Sequence, residues 1–143
     1  MVASGNPKCI KGIDDLARKD VTMVNREPGS GIRRKLDSYL HKHGISPSDV
    51  NGYETVAPGH LPAAWQVKTG AVDCCLATKT AACVFGLDFI TLERERYDLV
   101  IRKQSLTHPG VQVLLDILGR TAFRRELEGL GGYDTNVAGD RLL

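Results

Sequence analysis

Val24-Asn-Arg-Glu-Pro-Gly-Ser-Gly-Ile-Arg-Arg34 carries the chain from the end of a β-rich run, through a glycine-rich turn, into the start of a helical pattern. Gly29 and Gly31 permit close backbone approach, and Ser30 is placed to cap the helix and to offer a hydroxyl. The first free N–H groups of that helix and its dipole favour an anion. Arg33 and Arg34 fall in the first turn, where a cation opposes the dipole at a cost of about 0.3–1 kcal/mol each. A ligand oxyanion would offset that cost, with Arg26 close by. The alternative is an ordinary Ser30 cap, with both arginines turned to solvent and paired to Glu27 or Asp37. The stretch is not a nucleotide P-loop, because Gly-x-x-x-x-Gly-Lys-Ser/Thr is absent, nor a dinucleotide fingerprint, because no third glycine follows Gly31 at the required spacing.

Outward from this turn, short β-rich runs alternate with helical patterns. Val21-Thr-Met-Val24, Tyr53-Glu-Thr-Val56, Cys74-Cys-Leu-Ala77, Phe89-Ile-Thr-Leu92 and Tyr97-Asp-Leu-Val-Ile101 read as strands. Ile32, Leu36, Tyr39 and Leu40 lie at helical spacing, with Gly44 as a left-handed cap, which predicts a helix over about 31–43. Pro62 fits the first turn of a short helix bearing Ala63, Ala64 and Val67 and ending at Gly70, and Thr78 can cap another that stops at Gly86. Three strand-then-helix units predict an α/β fold with a mostly parallel sheet, whose ligands sit beyond the carboxyl ends of the strands. The loops beginning at Asn25, Ala57 and Ala77 are then the candidates. Farther on, Val111, Leu114, Leu115 and Leu118 share a helical face after Pro109, and a second helix carries Phe123, Leu127 and Leu130.

The chain has 143 residues, 42% of them hydrophobic, enough for one ordinary core and too few for two independent domains of typical size. Nineteen basic and seventeen acidic side chains, spread along its length, give a net charge of +2 and no polyelectrolyte character to recruit nucleic acid or anionic lipid. No apolar run approaches the roughly 20 residues of a membrane span, and the first residues lack a signal peptide's basic flank and apolar core. A cytoplasmic protein with reduced, mostly buried thiols is the expectation for Cys9, Cys74, Cys75 and Cys83. Successive strand residues face opposite ways, so Cys74 and Cys75 are not expected to share a metal ion, and no metal or cofactor is expected.

Several stretches together resemble the periplasmic-binding-protein-like domains fused in prokaryotes to molybdopterin-biosynthesis proteins or to helix-turn-helix regulators. They are Gly5-Asn-Pro-Lys8, Asp15-Leu-Ala-Arg18, Asn25-Arg26 with Gly29-Ser-Gly31 and Arg33, Gly52-Tyr-Glu54, Gly86-Leu-Asp-Phe89, Glu95-Arg-Tyr-Asp-Leu99 and Leu130-Gly-Gly-Tyr-Asp134. The resemblance implies a type-II solute-binding architecture of two α/β lobes with a ligand closed between them, and a sensor instead of a catalyst. It also implies ligand contacts from Ser30, Gly31 and Arg33 at the turn, His60 after the second strand, Thr78 after the third, and Tyr97 on a strand returning across the hinge. Ile32 stands where such domains usually have a threonine. The chain is expected to hold the second lobe and the C-terminal portion of the first, with residues 21–84 as the ligand-gripping lobe, 87–130 as the return segment and 131–143 as a tail. Unpaired strand edges and an uncovered helix face would follow, and with them self-association, by segment exchange, or pairing with a separately encoded lobe.

The remaining polar and aromatic residues have plainer readings. His41 and His43 suit a helix C-terminus, Asp73 a turn, and Trp65 a packing anchor. His60, in a strand-end loop beside Gly59, is the histidine expected in the cleft. The leading functional reading is a module that binds a small oxyanion, such as molybdate or tungstate, or an anionic metabolite. The alternatives are an enzymatic accessory of molybdopterin biosynthesis, with His60 as acid or base, and a dimerisation module without a ligand.

Overall fold

The computed structural model describes residues 1–141 and divides into two compact units, residues 1–92 and 93–143. In the first unit, strands β1 (Met23–Arg26), β2 (Val56–Ala57) and β3 (Cys74–Cys75) form a parallel sheet in the order β2-β1-β3. Asn25 pairs with Val56 and Arg26 with Ala57 on one side, and Met23 with Cys74 and Val24 with Cys75 on the other. The crossovers are α1 (Gly31–Lys42) and α2 (His60–Lys68), and α3 (Lys79–Phe85) follows β3.

Each helix ends where its sequence dictates. Ser30 Oγ accepts the Arg33 N–H at 3.1 Å at the start of α1. At its end Gly44 (φ +66°) donates to the His41 carbonyl and Ile45 to the Leu40 carbonyl, the paired bonds of a Schellman cap. Gly86 (φ +61°) closes α3 in the left-handed conformation. Alternation along the strands sends side chains into two cores, one on each side of the sheet. Met23 and Cys74 pack with Leu36 and Leu40 of α1 and with Ile10, Ile13, Leu16 and Val50, whereas Val24 and Cys75 pack with Ala63, Ala64 and Val67 of α2 and with Ala81 and Ala82 of α3. Asp73 fixes the start of the sheet by accepting from the Thr22 amide and hydroxyl at 2.8 and 2.9 Å.

Strand limits differ from those expected. β1 runs two residues farther, to Arg26, and β2 and β3 are shorter. Two of the expected strands, at 89–92 and 97–101, are not strands. Their β-branched and aromatic residues favour a pleated surface only when an edge is available to pair with. Neither run pairs with the sheet: the outer edge of β3 meets Val2, which bridges both Cys74 and Asp88 in antiparallel fashion, and β2 pairs with β1. Nor are the thiols mostly buried: Cys74 and Cys75 are, and Cys9 and Cys83 are exposed. Trp65 is 55% exposed and tilts against Phe85 with centroids 5.7 Å apart, so it lies on the surface of the α2 and α3 layer and does not anchor the core.

The second unit contains α4 (Pro109–Gly119) and α5 (Thr121–Gly129). His108 caps α4 through Nδ1, which accepts the Gly110 N–H at 3.1 Å, and Pro109 takes the first helical position. Among the described residues of this unit Thr135 is buried and no apolar side chain is. No helix of the described chain is long and apolar enough to cross a membrane.

Candidate functional site

Parallel pairing brings the carboxyl ends of all three strands to one edge of the sheet, and the central strand ends there in charged residues. Arg26 is 7% exposed, one of three polar or charged residues buried among the described chain. Its guanidinium is held at three points. Nε and Nη2 donate to Glu27 Oε2 and Oε1 at 2.8 and 2.9 Å, a fork on both carboxylate oxygens, and Nη1 donates to His60 Nδ1 at 2.9 Å. A guanidinium carries donors only, so His60 Nδ1 must be the acceptor, and the ring's own proton sits on Nε2. The backbone is fixed as well: the Arg26 N–H donates to Asn25 Oδ1 at 2.8 Å, and Asn25 Nδ2 donates to the Tyr53 carbonyl at 3.0 Å.

Glu27 links two of the loops. Its Oε2 also accepts the Gly59 N–H at 3.2 Å, where Gly59 (φ +97°) precedes the first turn of α2. The Arg26 fork, the neighbouring backbone N–H groups and the cation's charge hold the Glu27 carboxyl down to about 2, so it is ionised at any physiological pH.

Arg33 lies beside this cluster, 12% exposed, with its Nη1 donating to the Arg26 carbonyl at 3.4 Å. The guanidinium lies over the Tyr53 ring, 4.2 Å from its centroid, with Asp37 and Glu54 oxygens each 3.9 Å away. Tyr53 in turn donates to Asp37 at 2.7 Å, a bond to a carboxylate that raises its hydroxyl pKa. The chain itself therefore supplies the compensation that a cation in the first turn of α1 needs. Arg34 is exposed.

Of the residues expected at the site, Arg26, Ser30, Arg33 and His60 converge at the ends of β1 and β2, and Gly31 opens α1 in open space where an added Cβ would touch nothing. Thr78 occupies the N-cap position of α3, beyond the carboxyl end of β3, and makes no side-chain capping bond to that helix. Tyr97 lies in the second unit, outside any strand and 80% exposed. Glu27 and Gly59 complete the cluster. The adjacency of Glu27 to Arg26 at a strand end was the available signal for the first; nothing in the sequence marks the second as its partner.

A family model for PBP superfamily domains, the periplasmic-binding-protein-like class, matches residues 1–119. The chain belongs to this family. It is 38% identical over 142 residues to the uncharacterized protein YvgK of Bacillus subtilis (strain 168), a match that covers 99% of this chain and 46% of that protein. This periplasmic-binding-protein-like chain thus spans about half the length of its Bacillus relative. It is 40% identical over 105 residues to an uncharacterized protein from the 5′ region of the 2Fe-2S ferredoxin gene of Clostridium pasteurianum, covering 73% of this chain and 93% of that one. No solved structure is a significant match.

Proposed function

We propose that this domain binds a small anionic ligand without transforming it, at the carboxyl edge of β1 and β2, and acts as a cytoplasmic receptor or sensor. The observation that carries the reading is Arg26, a nine-tenths buried cation at the end of the central strand of a parallel sheet, the place where α/β folds take their ligands. The turn that follows Arg26 leads through Ser30 to the first N–H groups of α1, which supply further donors close by. Molybdate and tungstate belong among the anions to test, as do sulfate, phosphate and organic carboxylates, because a guanidinium takes any of them through charge-assisted hydrogen bonds.

A thermal-shift series with these anions at matched ionic strength tests the reading, with Arg26→Lys alongside to keep the charge and lose the fork. A ligand at about a hundred times its dissociation constant adds about 2.7 kcal/mol of stability. A selective rise in melting temperature for one anion class that Arg26→Lys abolishes is the expected result. Equal, small effects of every anion on both proteins would refute it.

A second reading concerns assembly. Residues 93–143 bury no apolar side chain among those described and expose Val100, Val113, Leu114 and Leu130, at 96, 54, 42 and 52%. We propose that a second copy of the chain, or a separately encoded lobe, covers this surface. Light scattering on the purified chain should give twice the monomer mass, or a monomer whose helices 109–129 exchange amide protons quickly. A monomer with slow exchange there would contradict it.

A further inference from the structure

An anion already sits on Arg26. Glu27 presents two coplanar oxygens to the guanidinium fork at 2.8 and 2.9 Å and takes the Gly59 N–H at 3.2 Å, so its carboxylate makes the contacts a bound ligand would make. The two partners are not equally fixed. The Arg26 side chain is 8% exposed and also held by His60, whereas the Glu27 side chain is 40% exposed and lies on the turn that leads through Pro28 and Gly29 (φ +87°) to α1. Rotating Glu27 out returns a half-solvated carboxylate to water but leaves the buried Arg26 charge without its carboxylate, so the swing requires an incoming anion to take the vacated place.

We propose that Glu27 is a resident anion that closes the Arg26 seat, and that a ligand enters by exchanging its own pair of adjacent oxygens for the Glu27 carboxylate, releasing the turn before α1 as it does so. The inference rests on the reading that this edge of the sheet takes an anion, and it adds how occupancy is gated and reported. Carboxylate, phosphate and sulfate share the required chemistry, two neighbouring oxygens bearing negative charge. Because Glu27 stays ionised far below neutral pH, acidification within the physiological range does not open the seat. Its cost to affinity is the fraction of time the seat is shut: a seat open about 1% of the time binds about a hundredfold more weakly than an open one. The exchange also gives a signal, since Glu27, on leaving Arg26 and the Gly59 N–H, frees the turn that sets the start of α1.

Sulfate, tetrahedral, and acetate, planar, are suitable probes, titrated by calorimetry into the wild-type chain and into Glu27→Gln, Glu27→Ala and Glu27→Asp. Glu27→Gln and Glu27→Ala should bind at least one probe about tenfold tighter or more than wild type. Glu27→Asp keeps a charge near Arg26 with a shorter reach, and its affinity should fall between wild type and Glu27→Gln. It also guards against misreading a variant that fails to fold. Which probe gains more separates an inorganic tetrahedral ligand from an organic carboxylate. Binding that is unchanged or weaker in both uncharged variants, while wild type binds, would make Glu27 part of the ligand's grip and overturn the gate, leaving the anion site standing. Binding of neither probe to any folded variant would overturn the anion site and the gate together.

Discussion

Gly52 is the position at which a single methyl group should do most damage to the sheet. Its φ is +85°, and a Cβ built there would lie 2.0 Å from the Met23 carbonyl oxygen and 3.1 Å from its carbon. Ordinary C···O contacts fall at about 3.3–3.6 Å, so the backbone must yield by roughly 1 Å or more. The groups that would move are those joining β1 to the segment ahead of β2, where the Met23 N–H donates to Asn51 at 2.9 Å and the Asn25 N–H to Thr55 at 2.8 Å. Left-handed strain on alanine costs about 1–2 kcal/mol, and weakening two buried backbone hydrogen bonds about 1 kcal/mol each. Gly52→Ala should therefore lose about 3–4 kcal/mol. Gly44→Ala is the control: φ is +66°, but nothing lies within 4 Å of its Cβ, so strain alone applies and the loss should be about 1–2 kcal/mol. Urea denaturation followed by circular dichroism measures both. Equal losses in the two variants would refute the close approach of Gly52 to β1.

Three further outcomes follow from the same geometry. Burial raises the thiol pKa of Cys74 to about 12 and of Cys75 to about 11, so in the native protein a thiol reagent at neutral pH should modify exposed Cys9 and Cys83 and reach the other two only on unfolding; mass spectrometry gives the count and the sites. Glu27 has its carboxyl pKa lowered in the folded state to about 2, so its share of stability is complete above the ordinary glutamate range and is lost as pH falls from about 4.5 towards 2. Acid denaturation of Glu27→Gln should be flatter over that interval, and identical acid curves would contradict the ion pair. Leu36, fully buried between α1 and the sheet, should cost about 2–5 kcal/mol when changed to alanine, read from the urea midpoint.

Much of the fold was legible because its signals are local. Ser30, Gly44 and Gly86 delimit α1 and α3 through capping and backbone conformation that each residue carries with it, Pro62 falls in the first turn of α2, and the opposite facing of Cys74 and Cys75 follows from the two-residue period of a strand. The long-range features were not. Asn25 and Arg26 read as the start of a loop because they are polar, yet they complete β1: the Tyr53 carbonyl, Glu27 and His60 satisfy them, and those partners are assembled only by tertiary structure. The runs at 89–92 and 97–101 carry strand residues but have no strand partner, and the outer edge of β3 is met instead by Val2, a pairing that no local pattern announces. At the site, the sequence grouped Arg26, Ser30, Arg33 and His60 with the strand ends, where the structure places them. What it could not show is that Arg33 lies on Tyr53, twenty residues away, and that a carboxylate of the chain already holds Arg26.

The most direct test of an anion seat at Arg26 is a nitrogen-15 correlation spectrum of the labelled chain, recorded through a titration with sulfate and, separately, acetate. Saturable shifts are expected of the Arg26 side-chain Nε–H and of the Glu27, Ser30, Gly31, Gly59 and His60 amides, with signals elsewhere in the first unit nearly still. Shifts that do not saturate, or that saturate at residues away from the ends of β1 and β2 while the Arg26 Nε–H stays in place, would contradict it.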